Sequence, residues 1–221
     1  MPENAEPRRP AAEAEPPTST STPKPTESPT STGSSAPKVR NLDAHALRGL
    51  AHPLRIRLLA ALRHNGPATA SQLAEQLGES SGATSYHLRQ LAAHGFVEDA
   101  PEHGKGRERW WRASHEGTSF DETMADDADP ATRSAAEVFL HEIATIHAQE
   151  MNTWLGTSHT WSTEWRRGAD LSDFTLRLTA GQTHELIHKM HDLINSYRDL
   201  GPAEETETVR FHTHVFPRTS D

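Results

Sequence analysis

Residues 69–98 read TASQLAEQLGESSGATSYHLRQLAAHGFVE. Thr69 and Gln72 have the T-x-x-Q spacing of a capping box, in which each side chain satisfies the other residue's backbone N–H. A helix is predicted from there, with Leu73, Ala74 and Leu77 on its inner face. Gly78 follows at once and suits the left-handed residue of a tight turn. Ser80 or Ser81 then caps a second helix, with Leu88, Leu91 and Ala92 inward and Gly95 at its end. Two short helices about a Gly turn predict a helix-turn-helix. Next come FVEDA (96–100), the turn PEHGKG (101–106) and RERWWRA (107–113). Strand, Gly-rich turn and strand predict a hairpin wing. Trp110 and Trp111 alternate on its second strand, so one of them faces inward.

Upstream, NLDAHALRGLAHPLRIRLLAAL (41–62) predicts two more helices. Asp43 caps the first, which carries Leu47 and Leu50. His52-Pro53 breaks it, because Pro disfavours helix at the residue before it and suits the first turn of the next. The second helix turns Leu54, Leu58, Leu59 and Leu62 inward and ends near Arg63, before Asn65-Gly66-Pro67.

LAHPLRIRLLAAL (50–62), SQLAEQLG (71–78) and SYHLRQLAAHGFVE (85–98) together resemble the ArsR-type winged helix-turn-helix transcriptional regulators. The resemblance spans Leu42 to Ala113, about a third of the chain. It implies a homodimer of winged helices whose second motif helix reads the major groove of double-stranded DNA. By position it places the family's DNA-contacting Ser on Ser85, followed by Tyr86. The Cys-rich metal site of arsenic-sensing members has no counterpart, because the chain has no Cys. The chain also continues about 100 residues past the usual core.

The residue chemistry points the same way. With Leu88 and Leu91 inward, the opposite face carries Gly82, Tyr86, Arg89 and Gln90, with Ser85 at its edge and Ser81 in the first turn. Ser and Gln hydrogen-bond to base edges, and Arg forks onto guanine or holds a phosphate. Gly82 permits close backbone approach. In the wing, Lys105, Arg107 and Arg109 are candidates for phosphate or minor-groove contact.

Charge is divided unevenly. Residues 38–115 hold eleven Lys and Arg against seven Asp and Glu, a balance of +4. Residues 116–221 hold eight against nineteen, a balance of −11, which should keep that half off DNA. Residues 1–37 contain nine Pro and a Ser/Thr tract and predict a disordered tail. No apolar run suits a membrane span or a signal peptide, so a cytoplasmic chain is expected.

In the acidic half, a long helix is predicted from Asp129 to Leu155 on a stripe of Phe139, Ile143 and Ile146, with Trp154 at its far end, His141 off the stripe and His147 at its flank. A loop follows (158–174), then a strand at FTLRLT (174–179), a helix over 180–199 and a last strand at ETVRFHTHVFP (207–217), with His212 and His214 on one face. The overall expectation is a mainly α (α+β) chain. A winged helix-turn-helix domain at 38–115 precedes a dimerisation or effector module at 129–221 that comprises the long helix and a strand-helix-strand unit.

The helix over 180–199 contains His184-Glu185-Leu186-Ile187-His188, the H-E-x-x-H spacing of zinc peptidases. On a helix the two His share a face and can grip one zinc, with the Glu as general base. Fifteen His and twenty Glu produce this motif by accident in about one such chain in ten. The apolar residues Leu186, Ile187, Met190, Leu193, Ile194 and Tyr197 form the opposite stripe, expected against a core, which turns the imidazoles to water. His191 stands about 10 Å along the axis from His184, too far for one ion. The sequence shows no catalytic dyad, phosphate loop or cofactor fingerprint. The expected protein is therefore a DNA-binding regulator and not an enzyme, without catalytic, metal or cofactor residues. A repressor with a metal or small-molecule sensor in its acidic half is the second reading, and a zinc hydrolase the remote third.

Overall fold

The computed structural model describes residues 38–104, 108–198, 200 and 206–219. The tail expected at 1–37 lies outside the described residues.

Each early helix begins at the residue that the sequence marks. In α1 (Ala44–Leu50) the Asp43 carboxylate accepts from the Ala46 N–H at 2.7 Å, and that hydrogen bond holds the carboxyl below its usual range. In α2 (Pro53–Asn65) His52 is the cap: its Nδ1 accepts from the Leu54 N–H at 3.2 Å, which requires a neutral ring. The capping box of α3 (Ala70–Leu77) is complete, with Thr69 Oγ1 accepting from the Gln72 N–H (3.3 Å) and Gln72 Oε1 from the Thr69 N–H (2.9 Å). Gly78 ends α3 at φ +66°, where a β-carbon would be strained. Of the two candidate caps of α4 (Ser81–Ala93), Ser80 is the one used.

These helices close on a core of Leu47, Leu50, Leu58, Leu73, Leu88, Leu91 and Phe96, each at most 1 % exposed. Leu54, Leu59 and Leu62 join it as expected, and so does Ile56. The wing strands are β3 (Val97–Asp99) and β4 (Trp110–Ala113), antiparallel with Val97 opposite Ala113. Trp111 is the buried tryptophan, at 3 %. Two pairings had no sequence signal. β2 (Ala68–Thr69) adds a third strand beside β4, and β1 (Val39–Asn41) runs parallel to β5 (Gly117–Ser119).

The long helix α5 (Pro130–Thr157) starts at its Asp129 cap. Its first half completes the core of the winged helix. Ala135, Ala136 and Phe139 are buried there, with Ile143 and Ile146 half-buried against it. Arg48 of α1 bonds both Asp129 (2.9 Å) and the buried Thr132 (2.7 Å), and Arg57 of α2 spans Glu79 (3.0 Å) and Glu142 (3.6 Å).

Three expectations for the acidic half need correction. The expected loop after α5 contains a short helix, α6 (Thr163–Gly168), capped by Ser162. The expected strands at 174–179 and 207–217 make no ladder among the described residues. The helix between them, α7 (Ala180–Ser196), forms with its own complete capping box at Thr179 and Gln182, but its apolar stripe reaches no core. No described residue of α7 is buried, and Leu193 is 62 % exposed. Amphipathicity had specified the helix and its face; among the described residues only Thr213 and Val215 come against it, leaving Ile187 and Met190 half-buried.

Candidate nucleic-acid interface

α4 rests on the core through Leu88, Leu91 and the buried Thr84, and turns its other side to water. Ser81, Gly82, Tyr86 and Arg89 are exposed there, with Ser85 and Gln90 half-exposed at the edges. All six α4 candidates thus lie on accessible parts of one helix. The Arg89 guanidinium is folded back on its own helix, with Nε donating to the Ser85 carbonyl at 3.2 Å. That exposed bond is weak enough to be exchanged for a base or a phosphate.

Two groups beside this face had no sequence signal. His87 lies between two rings, tilted against His52 (centroids 4.2 Å apart) and edge-on to Tyr86 (5.1 Å). Burial, followed by the neighbouring His52 and Arg55, holds its imidazole below the ordinary His range and so favours the neutral ring. Arg55 of α2 has a buried Nε without a partner and lies within electrostatic reach of Tyr86.

The wing brings its own charges. Arg109 is not free: its Nε meets Asp99 at 3.1 Å, and its guanidinium lies 4.1 Å over the Trp111 ring. A phosphate there would compete with Asp99. Arg112 is likewise held by Glu98 (2.8 Å) and Glu102 (2.6 Å). Lys105 and Arg107 lie outside the described residues.

A family model described as a helix-turn-helix domain matches residues 50–100. Residues 50–100 are a helix-turn-helix domain. With the β3–β4 hairpin behind it, the domain is winged, as the resemblance to ArsR-type regulators implied. No protein of curated function matches the chain. Among the solved structures that match are the following three. The transcriptional repressor BigR of Xylella fastidiosa is 20 % identical over 46 % of this chain and 84 % of its own, with a TM-score of 0.29. A mutant of ZitR from Lactococcus lactis in apo form is 16 % identical over 70 % and 83 %, at 0.27. RV1404 of Mycobacterium tuberculosis is 17 % identical over 72 % and 84 %, at 0.28. The helix-turn-helix domain is established here by its own helices, turn and hairpin.

The acidic half gathers histidines in two places. On α7, His184 and His188 stand with their Nε2 atoms 2.8 Å apart, both exposed, and Glu185 is engaged by Lys189 at 2.6 Å. Among the described residues, no group of three His, Asp or Glu could hold a metal ion. The second group joins α2, α5 and the terminal segment. His64 meets Glu150 Oε1 at 3.3 Å; His212 and Arg210 meet Glu150 Oε2 at 2.9 and 3.2 Å; His147 Nδ1 lies 2.7 Å from His214 Nε2. The rings of His147 and His214 are nearly parallel with centroids 5.1 Å apart, so the two nitrogens meet head-on in a hydrogen bond. Which ring donates depends on the tautomers of the two histidines. No described helix is long and apolar enough to cross a membrane.

Proposed function

We propose that this chain is a sequence-specific DNA-binding transcriptional regulator of the ArsR type that binds operator DNA as a homodimer. It works through the winged helix of residues 38–115, with residues 129–221 as a dimerisation or effector module. The observation that carries this is the accessible face of α4, where Ser81, Gly82, Ser85, Tyr86, Arg89 and Gln90 are presented on a helix held rigid by Leu88 and Leu91. An α-helix fits the major groove, and this set of hydrogen-bonding side chains can read base edges. Lys105, Arg107 and Arg109 belong to the reading as wing contacts, with Arg109 exchanging Asp99 for a phosphate. Arg55 adds positive charge beside Tyr86. The −11 balance of residues 116–221 directs DNA to the winged helix.

The test is selection of bound genomic fragments, followed by anisotropy titration of the enriched sequence. The expected operator has two half-sites about one helical turn, or a multiple of it, apart. Arg89→Ala is expected to weaken binding by about 1–3 kcal/mol and to relax specificity at one position per half-site. Failure to enrich any sequence, or undiminished binding by the variant, would overturn the reading.

A further inference from the structure

Two segments of the acidic half have the pattern of strands and, among the described residues, lack a strand partner. In residues 174–178, Phe174, Leu176 and Leu178 alternate with Thr175 and Arg177. In residues 209–215, Val209, Phe211, Thr213 and Val215 alternate with Arg210, His212 and His214. Extended chain sends alternate side chains to opposite faces. The second segment does this: Arg210, His212 and His214 reach back to Glu150 and His147 of α5, while Phe211 is 68 % exposed. Phe174 is 84 % exposed. Among the described residues, neither segment forms a backbone hydrogen bond with the other or with any strand.

Both segments therefore offer open edges in Phe-, Leu- and Val-rich sequence, without Pro, which is the condition that invites pairing with another chain. The second segment also adjoins the largely exposed stripe of α7. Ile187 and Met190 of α7 line one hollow of about 170 Å³ with Thr213 and Val215. Phe174, Leu176, Leu193, Tyr197, Phe211 and Phe216 together leave on the order of 800 Å² of apolar surface in water, about one partner's share of a standard interface.

We propose that a second copy of this chain supplies the missing ladder. Residues 174–178 and 209–215 pair as β-strands with those of the partner copy, and the resulting sheet covers the apolar stripe of α7. The edges specify a copy and not a stranger. One chain carries two segments of similar length and the same alternation, and a two-fold axis pairs 174–178 of each copy with 209–215 of the other in two equivalent ladders. This deepens the dimer part of the function proposed above and rests on it.

The chain has no Cys, so introduced thiols report without background. Leu176→Cys and Phe211→Cys, singly and together, are oxidised in the full chain at micromolar concentration and analysed on denaturing gels. Covalent dimers from the variants are expected, with the double variant linking between chains. In parallel, sedimentation velocity compares the parent with Phe174→Asp/Phe211→Asp. Both positions are exposed, so the monomer should keep its helical circular dichroism. The expected result is a dimer dissociation constant raised at least a hundredfold. Three results overturn the proposal: a monomeric parent, an unchanged dissociation constant in the Asp variant, or a double-Cys variant that closes only within one chain. Should the Asp variant lose helical signal, the cross-links decide alone. A parent that dimerises through these segments but selects no DNA sequence would leave this interface standing and remove the regulator reading instead.

Discussion

The chain writes the same helix start twice, and the two outcomes differ. Thr69-Gln72 and Thr179-Gln182 both form complete capping boxes, with hydrogen bonds of 3.3 and 2.9 Å in one and 3.2 and 2.9 Å in the other. Both open helices with an apolar face. α3 buries Leu73 to 1 % and Ala74 to 5 %, whereas α7 buries nothing that is described. A cap satisfies orphan N–H groups within one turn and needs no other element. Burial needs several elements to arrive together. In the winged helix α1, α2, α4 and the first half of α5 do so; around α7 the described residues provide nothing comparable.

The difference is open to direct attack. Leu88→Ala empties a fully buried position and should cost about 2–5 kcal/mol by denaturant unfolding. Leu193→Ala in α7 should change the stability of the monomer by less than about 0.5 kcal/mol. Similar losses at both positions would show that α7 has a core of its own.

A smaller contrast uses one substitution in both halves. A β-carbon on Gly49 would stand 2.4 Å from the His94 ring, where α1 and α4 approach closely, so Gly49→Ala should destabilise by about 1–3 kcal/mol. A β-carbon on Gly181 meets nothing, and Gly181→Ala in α7 should be neutral or stabilise its helix by up to about 1 kcal/mol. Equal effects in thermal unfolding would mean that the α1–α4 approach is not tight.

The caps themselves come next. Thr69→Ala should lower global stability by about 1 kcal/mol, because α3 unfolds with the domain. Thr179→Ala should lose a similar local amount from α7, seen as faster amide exchange there with an unchanged melting temperature. A fall in melting temperature for Thr179→Ala would couple α7 to the domain.

The smallest effect is that of acid on the histidine group. Burial, followed by the nearby His212 and His214, lowers the His147 pKa from the usual 6.5 to about 4. The unfolded chain therefore binds more protons than the folded one between those values. The contribution of His147 is fully present above about pH 6.5 and is lost as pH falls towards 4. For a half-exposed ring, solvent screening keeps it below about 1 kcal/mol. His147→Gln should flatten stability against pH in that window, and an unchanged slope would remove His147 from the account. Burial lowers His52, His87, His94 and His115 as well, so acid acts on the winged helix in the same direction.

The sequence by itself determined the pieces whose physics is local. Asp43, Thr69, Asp129 and Thr179 cap their helices within three residues. Gly78 and Gly95 take the left-handed φ at the ends where they were expected. The spacing of Leu54, Leu58, Leu59 and Leu62 named the buried side of α2, and the spacing of Leu88 and Leu91 fixed which α4 residues face solvent. Tertiary structure alone decided what depends on distant partners. It selected Trp111 over Trp110, paired β1 with a strand 78 residues away, and filled the winged-helix core from α5. It also tied Arg109 to Asp99, placed His94 against Gly49 and left α7 uncovered. The reason is range: helix periodicity and caps act within a turn or two of chain, whereas burial and ion pairing depend on which surfaces meet once the chain has folded back on itself.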